Sequence, residues 1–265
     1  MSNSNPSKHR FIISGGGTGG HIFPAIAIAN ALKEALPDVD IVVVEEKNRM
    51  EIEMVPAAGY PIEGIWISGL QRKLTLKNLS FPFKVISSLH KAGKIIDRFR
   101  PDVVIGVGGY ASGPLLRIAG KKGIPTVIQE QNSFPGITNK LLAKSVKKIC
   151  VAYDGMEKYF PAEKIVKTGN PIRKEVINIK NKREKAAGIF NLEKDKKTVF
   201  IVGGSQGALS VNKSIKQNLD RFIENDIQLI WQTGKFFASE ARKLVDEKHV
   251  KGIRVVEFIN RMDLA

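Results

Sequence analysis

A chain of 265 residues with 43% hydrophobic content is long enough to bury a sizeable core, and its length predicts two domains. The single cysteine, Cys150, excludes a disulfide framework and a cysteine metal site, and no apolar stretch is long enough to span a bilayer. The net charge of +16 predicts an anionic partner, such as lipid headgroups or a phosphorylated substrate. No zinc-finger spacing or aromatic-interleaved basic motif supports nucleic acid, and the first residues lack a signal-peptide core, so we expect a cytosolic chain.

Strand-like apolar runs alternate with helical patterns along the chain, which predicts an α/β fold with mostly parallel sheets. Strands are predicted at Phe11–Ser14, Ile41–Val44, Val103–Val107, Thr126–Gln129, Lys148–Ala152, Val199–Val202, Gln228–Thr233 and Arg254–Phe258. Helices are predicted at Pro24–Leu36, within Pro82–Arg100, and at Gly113–Lys122, Thr138–Ala143 and Ala208–Asn225.

The plan of a buried strand, a glycine-rich turn and a helix occurs twice, as RFIISGGGTGGHIFPAIAIANAL and as TVFIVGGSQGALSVNKSIKQNL. Each copy is typical of the opening unit of a doubly wound, Rossmann-like domain, which binds ligands at the carboxyl ends of its strands. We therefore expect domains at 8–172 and 173–265, divided near the Gly169–Pro171 turn and facing each other across a cleft. The second domain has room for only three or four strands, so we expect it to be incomplete.

The turn from Ser14 to His21 is the most informative motif. Glycines let the backbone turn sharply and approach a ligand, and the helix behind the turn favours an anion. His21, at the lip of this turn, can carry a proton near neutral pH. Two more glycine-rich turns follow strands, at Gly106–Gly113 and Gly203–Gly207, and Ser205 in the latter suits a diphosphate. Any one of them could be a simple strand–helix connection, but three together indicate ligand binding.

A nicotinamide-dependent oxidoreductase is a rival interpretation. The first turn also fits G-x-G-x-x-G, and Glu45 ends the next strand, where such enzymes hold a ribose. Two features count against it: His21 lies inside the phosphate-facing turn, and one dinucleotide fold does not require the second turn at Gly203.

Polar residues mark two further places. In the run Gln129–Asn132 we expect Gln131 to be solvated, and Glu130 and Asn132 to face the cleft and bind hydroxyls. Arg173 follows a rigid Asn-Pro turn, which favours a phosphate or carboxylate contact. The acidic pair at Asp38 and Asp40 precedes its strand, so we interpret it as a solvated turn and predict no protein-held metal.

The segment from Leu74 to Leu89 is rich in leucine and phenylalanine and is flanked by lysines. Part of it is expected to be the inner face of a helix, but the portion before the helix is more apolar than a loop requires. An apolar patch rimmed by lysines would bind an anionic membrane surface. Its members are Lys73, Leu74, Lys77, Leu79, Phe81, Phe83 and Lys84.

Five motifs in order, GGGTGGHIFPAIAIANAL, GVGGYASGP, QEQN, TGNPIR and GGSQGALSVN, closely resemble the MurG family of glycosyltransferase family 28. The resemblance runs from about Arg10 to the last residue. It implies the GT-B fold, an acceptor-binding first domain and a UDP-sugar-binding second domain. It implies transfer of N-acetylglucosamine, with inversion, from its UDP donor to the C4 hydroxyl of undecaprenyl-diphospho-muramoylpentapeptide (lipid I), giving lipid II for peptidoglycan.

The same resemblance implies roles for individual residues. Thr18, Gly19, Gly20 and Asn132 would line the donor sugar, Arg173 and Ser205 would approach the diphosphate, and Ile259 would lie against the uracil. His21 would be the base, with Glu130 and Tyr110 as acceptor-side helpers and Asn212 in support. Whether His21 or Glu130 is the base stays open.

The resemblance further implies no cofactor, since UDP-N-acetylglucosamine is a substrate. It implies a peripheral place at the cytoplasmic face of the bacterial plasma membrane. The implied partners are UDP-N-acetylglucosamine, lipid I, the anionic membrane surface, and proteins of cell-wall synthesis and division, with no nucleic acid. The family continues past Ala265 into a segment that contacts the donor, so we expect full turnover of the parent protein rather than of this chain. Besides the oxidoreductase, a UDP-sugar 2-epimerase and a non-enzymatic basic surface-binding protein remain rival interpretations.

Overall fold

The computed structural model describes residues 8–16, 19–46, 49–67, 81–204 and 206–265, without the side chains of 49–52 and 175. It divides into two compact units, Met1–Arg173 (unit 1) and Lys174–Ala265 (unit 2). Each unit combines parallel strands with helices.

Unit 1 alternates strands and helices. The strands are β1 (His9–Ser14), β2 (Val39–Glu46), β3 (Ile62–Ile65), β4 (Val103–Gly106), β5 (Thr126–Glu130), β6 (Lys148–Val151) and β7 (Ile165–Lys167). The helices are α1 (Gly19–Ala35), α2 (Arg49–Ala57), α3 (Phe81–Phe99), α4 (Ser112–Lys121) and α5 (Ile137–Leu142).

The described strands of unit 1 form one parallel sheet in the order β3-β2-β1-β4-β5-β6-β7. The strand order therefore reverses between β1 and β4, whose last residues Ser14 and Gly106 are paired. In open α/β sheets, the crevice outside the carboxyl ends at such a reversal is where ligands bind. The topology thus marks this point of unit 1 as the place for a site.

Both faces of this sheet are covered. Ile12 packs with residues of α3, α4 and α5, whereas its neighbour Ile13 packs with residues of α1 and α2. Successive side chains of a strand point to opposite faces, so a strand covered on both sides is apolar at every position. This is why the inner strands could be predicted from continuous apolar runs.

Unit 2 contains α6 (Lys174–Ile177), α7 (Arg183–Phe190), β8 (Thr198–Val202), α8 (Leu209–Glu224), β9 (Gln228–Gln232), α9 (Lys235–Glu247) and β10 (Ile253–Val256). Its three described strands are parallel, in the order β10-β9-β8. Trp231 of β9 is fully buried and packs against Phe237 of α9.

The structure adds elements that the sequence analysis did not predict: β3, β7, α2, α6, α7 and α9. The two missed strands are the edges of the sheet of unit 1, and they are short and only partly buried. Such strands lack the continuous apolar run of an inner strand. Helix α1 also begins at Gly19, not at Pro24, so that His21 lies in the first turn of the helix and not in the loop before it.

Candidate active site

Two glycine-rich turns of unit 1 meet at the carboxyl ends of β1 and β4. The amide of Val107 donates a hydrogen bond to the carbonyl of Ser14 at 2.8 Å. Gly109, with φ +77°, lies so close to the first turn that a methyl carbon built on it would be 2.6 Å from the carbonyl oxygen of Gly16. Only glycine combines this backbone conformation with so close an approach. The two turns therefore form one packed structure.

His21 lies against both turns. Its Nδ1 is 2.8 Å from the carbonyl oxygen of Gly16. A carbonyl oxygen can only accept, so Nδ1 carries the proton and Nε2 holds the lone pair of the neutral ring. The ring also covers Gly108, where a methyl carbon would be 2.8 Å from Nε2. The contacts of the first turn thus select one tautomer of the histidine.

The pKa of His21 is lowered from its ordinary value of 6.5. Burial of the ring is the main cause, and it is partly offset by the hydrogen bond to Gly16 and by the negative charge of Glu130. A lowered pKa leaves the imidazole neutral at neutral pH, with Nε2 able to accept a proton. A neutral ring with this lone pair at the carboxyl edge of the sheet has the chemistry that a general base requires.

Glu130, at the end of β5, is buried, and its carboxylate is fully engaged in hydrogen bonds. One oxygen accepts from the backbone amide and the side-chain amide of Asn132, at 3.0 and 3.1 Å. The other accepts from the amide of Gly136 at 3.1 Å and from the Asn139 side chain at 2.9 Å. Four donors on one carboxylate fix the loop between β5 and α5, which favours a structural role for Glu130 and leaves His21 as the stronger candidate base.

Replacing Glu130 with glutamine tests this assignment. Glutamine offers one oxygen and turns an NH₂ group toward buried donors, so we expect the free energy of unfolding to fall by about 2–4 kcal/mol. The exposed Glu157→Gln is the matched control and should change stability by about 0.5 kcal/mol or less. Urea unfolding monitored by circular dichroism measures both. An E130Q protein as stable as the wild type would contradict the structural role.

Gln131 differs from its prediction. It was expected to be solvated, but it is partly buried, and its side-chain amide donates to the carbonyl of Val107 at 2.8 Å and to the side-chain oxygen of Gln129. Asn170 in turn donates to the carbonyl of Gln131 at 3.3 Å. These bonds connect β5 with the β4 turn and with the segment that leads to Arg173. Such long-range partners were not evident from the local sequence.

Glu45 bears on the oxidoreductase interpretation. Its side chain is fully buried beneath the first turn, where a methyl carbon built on Gly16 would be 2.8 Å from a carboxylate oxygen. Because this carboxylate has no exposed surface, it cannot contact a ribose as the oxidoreductase interpretation requires. The next residue, Glu46, accepts a hydrogen bond from the backbone amide of Tyr110 at 3.2 Å, and the Tyr110 side chain is about half exposed at the same edge.

Several other predicted site residues can be placed in unit 1. Gly19 is buried and Gly20 exposed in the first turn of α1, one helical turn from Phe23. The guanidinium of Arg173 lies 4.4 Å from the centre of the Phe23 ring, a cation–π contact that holds its charge beside α1. Asn132 is exposed as a residue, and its side chain donates to Glu130.

Some predicted residues lie outside the described residues: Thr18, Ser205, Lys73, Leu74, Lys77 and Leu79. The described part of the predicted apolar patch is the start of α3. Phe81 is partly buried, Phe83 is 70% exposed, and the ammonium group of Lys84 lies 5.6 Å from the ring centre of Trp66. Ile86, which is 66% exposed, extends this apolar area. We call Trp66, Phe83 and Ile86 the α3 surface.

Two predicted residues of unit 2 are interior. Asn212 is buried in α8, where it donates to the carbonyl of Thr233 at 2.8 Å and accepts from the Trp231 indole at 3.0 Å. This side chain joins α8 to β9, and its supporting role in catalysis stays a prediction. Ile259 is buried against Phe190 and its neighbours, so any contact of Ile259 with a ligand falls to its backbone.

The glycine-rich turn of unit 2, at Gly203–Gly207, is also closely packed. Gly207 has φ +76°, and a methyl carbon there would overlap the carbonyl of Thr233. The same holds for Gly234, which has φ +74° and faces the carbonyl of Gln206. The carboxyl ends of β8 and β9 therefore meet through glycine backbone, and α8 begins just beyond, at Leu209.

The acidic pair lies at the opposite edge of the sheet of unit 1. Asp38 is exposed before β2, and Asp40 pairs with Lys8 at 2.7 Å. Within the described ranges, no cluster of three or more His, Cys, Asp or Glu residues suits a metal ion. None of the helices in those ranges is long and apolar enough to cross a membrane.

Comparison with known proteins identifies the family. The profile of the glycosyltransferase family 28 N-terminal domain matches residues 11–151, and that of the family 28 C-terminal domain matches residues 198–265. A protein of Christiangramia forsetii is 54% identical over 256 residues, and one of Cytophaga hutchinsonii is 53% identical over 257. Both alignments cover 97% of this chain and 69% of the relative. Both relatives are named UDP-N-acetylglucosamine--N-acetylmuramyl-(pentapeptide) pyrophosphoryl-undecaprenol N-acetylglucosamine transferase.

Solved structures agree with this result. The crystal structure of MurG from Acinetobacter baumannii is similar with a TM-score of 0.64 and 27% identity, covering 97% of this chain and 71% of that one. UDP-GlcNAc 2-epimerase from Neisseria meningitidis has a TM-score of 0.63 at 12% identity, over 96% of this chain and 73% of that one, and this likeness concerns the fold alone. With both family profiles and relatives above 50% identity, the chain belongs to glycosyltransferase family 28.

Proposed function

We propose that the protein transfers N-acetylglucosamine from UDP-N-acetylglucosamine to the C4 hydroxyl of undecaprenyl-diphospho-muramoylpentapeptide. Family membership and the names of relatives above 50% identity support the substrates. The observation that carries the mechanism is His21, a neutral imidazole with its Nε2 lone pair at the carboxyl ends of β1 and β4, where the strand order reverses. Unit 1 binds the acceptor and unit 2 binds the sugar nucleotide in this proposal.

The reaction is a single displacement with inversion. Nε2 of His21 takes the proton of the acceptor hydroxyl while that oxygen attacks the anomeric carbon. The bond from the anomeric carbon to the diphosphate oxygen breaks, and UDP departs with the electron pair. His21 then returns its proton to solvent or to the product phosphate. Glu130 keeps the loop after β5 in place and supplies negative charge that stabilises the imidazolium.

Charge on the departing UDP needs compensation. We assign this to Arg173, held over Phe23, and to the start of α8, whose free amides and helix dipole favour an anion. This assignment involves no protein-held metal and no cofactor. Thr18, Gly19, Gly20 and Asn132 stay the predicted contacts of the donor sugar, with Ser205 at the diphosphate.

The acceptor carries a lipid, so the protein must work at a membrane. We propose that it binds peripherally at the cytoplasmic face of the plasma membrane through the α3 surface and nearby lysines. Exposed apolar side chains next to Lys84 support this, because such a patch inserts among headgroups while lysines attract anionic lipid. Binding to proteins of cell-wall synthesis and division stays a prediction.

A transfer assay tests the proposal. The protein at its natural full length is incubated with radiolabelled UDP-N-acetylglucosamine and the lipid-linked acceptor, with and without EDTA. We expect label in the lipid fraction under both conditions. Free sugar products without any lipid requirement would identify an epimerase, and a saturable change in NAD(P)H fluorescence would favour the oxidoreductase. Absence of transfer to the lipid would refute the proposal.

A further inference from the structure

A second exposed apolar area lies on unit 1, apart from the α3 surface. Phe134, Ile137 and Leu141 are 68%, 75% and 80% exposed. Ile137 and Leu141 are four residues apart on α5 and so lie on one face of the helix. The opposite face, with Asn139 and Leu142, is buried against the sheet. We call these three side chains the α5 surface.

The surroundings of the α5 surface are basic. From Gln131 to Tyr153 the sequence contains four lysines and neither aspartate nor glutamate. The ammonium group of Lys140 lies 4.0 Å from the ring centre of Phe134 and 4.7 Å from that of Tyr159, and Lys144 is exposed on the next turn. Cationic groups alternate here with projecting apolar groups.

The α5 and α3 surfaces lie on the same side of unit 1. Helices α3, α4 and α5 cover one face of the sheet, with α4 in contact with both of the others. Helix α5 begins at the carboxyl edge, just after β5, and α3 ends close to the start of β4 at the opposite edge. The exposed starts of α3 and α5 therefore lie toward the same edge of one helical layer. Arg117 of α4, between them, is exposed and basic.

We propose that the α5 surface is a second contact with an anionic membrane surface, which together with the α3 surface sets the orientation of unit 1. The inference rests on the proposed function, since a lipid-linked acceptor brings the enzyme to a bilayer. Projecting side chains fit among headgroups, and the lysines attract lipid phosphates. A second copy of the chain fits less well, because a two-fold contact through this surface would bring the same lysines together.

Vesicle binding tests the α5 surface without any activity measurement. The probe is sedimentation with vesicles of equal parts phosphatidylglycerol and phosphatidylethanolamine, compared with phosphatidylcholine alone. The test variant is Phe134→Ser/Ile137→Ser/Leu141→Ser. Its matched control is Ile177→Ser/Ile189→Ser/Phe236→Ser, which removes three exposed apolar side chains from unit 2. Circular dichroism verifies that both fold.

We expect the α5 variant to lower the partition coefficient on anionic vesicles by about tenfold or more, with the control close to wild type. Replacing Lys140 and Lys144 with glutamine should lower it about fivefold for each lysine. The inference would be overturned if the α5 variant bound anionic vesicles as well as the wild type does, or if the unit 2 control lost as much binding as the α5 variant. Either result would leave the proposed function intact. The inference would also be overturned if analytical ultracentrifugation showed a wild-type dimer that only the α5 variant loses, with vesicle binding unchanged. No binding by the wild type would count against the membrane part of the proposed function as well.

Discussion

Replacing His21 with alanine should reduce the rate of sugar transfer by about 10²–10⁴-fold, the usual contribution of a positioned general base. The alanine protein should still fold, because the ring is at the edge of the sheet and only partly buried. The matched control is His90→Ala, which removes an exposed histidine of α3 and should leave the rate unchanged. The measurement is kcat with radiolabelled donor, together with circular dichroism of each variant. A rate within a few-fold of wild type would show that His21 is not the base.

The pH profile gives a second measure of the same residue. Burial lowers the pKa of His21 below 6.5, so the active neutral ring predominates at pH 7 and transfer should decline only at lower pH. The free energy of unfolding should change with pH in the same direction as the rate. Below pH 6.5 the unfolded chain binds a proton more readily than the folded one, so His21 makes the protein less stable as pH falls. His21→Ala should lose both effects, whereas an unchanged acid limb of the rate would point to Glu130 or another group.

Replacing Gly109 with alanine should be the most damaging of the glycine substitutions in unit 1. The residue has φ +77°, and the added methyl would lie 2.6 Å from the carbonyl oxygen of Gly16. Strain and overlap together should lower the free energy of unfolding by about 2–4 kcal/mol. Because the two glycine turns would separate, the contacts that orient His21 should be lost and transfer should fall as well.

Gly123 provides the control for this prediction. Its φ is +76°, and a methyl group there would meet nothing within 4 Å. Gly123→Ala therefore introduces the same left-handed strain without the overlap, and we expect a loss of about 1–2 kcal/mol with normal transfer. Urea unfolding and the radiolabel assay compare the two variants. Equal losses of stability in both would mean that the packing of the turns contributes nothing.

The local sequence predicted the inner architecture well. Strands β1, β4 and β5 are covered on both faces, so their apolar character is continuous and visible without any knowledge of their neighbours. The glycine turns were visible for a similar reason, since a sharp turn at the end of a buried strand requires glycine locally. His21 was predicted from its place at the lip of the first glycine-rich turn, whereas the structure places it within helix α1.

The edge strands and the roles of the buried carboxylates depend on distant partners. Strand β7 is defined by pairing with β6, not by its own composition. Glu130 and Glu45 are both glutamates at strand ends, and only the fold shows that one organises a loop through four donors while the other lies beneath the first turn. Similar local contexts thus have different outcomes, because burial and hydrogen bonding are set by other parts of the chain.

The sequence by itself determined the α/β class, the repeated strand–turn–helix plan and the histidine beside the first glycine turn. Only the tertiary structure decided that Nδ1 of His21 donates to Gly16, that Gln131 connects two turns, and that Phe134, Ile137 and Leu141 face outward. The physical reason is the range of the interactions. Periodicity and turn preference act over a few residues, whereas tautomer, hydrogen-bond partners and exposure are fixed by segments that meet only after folding.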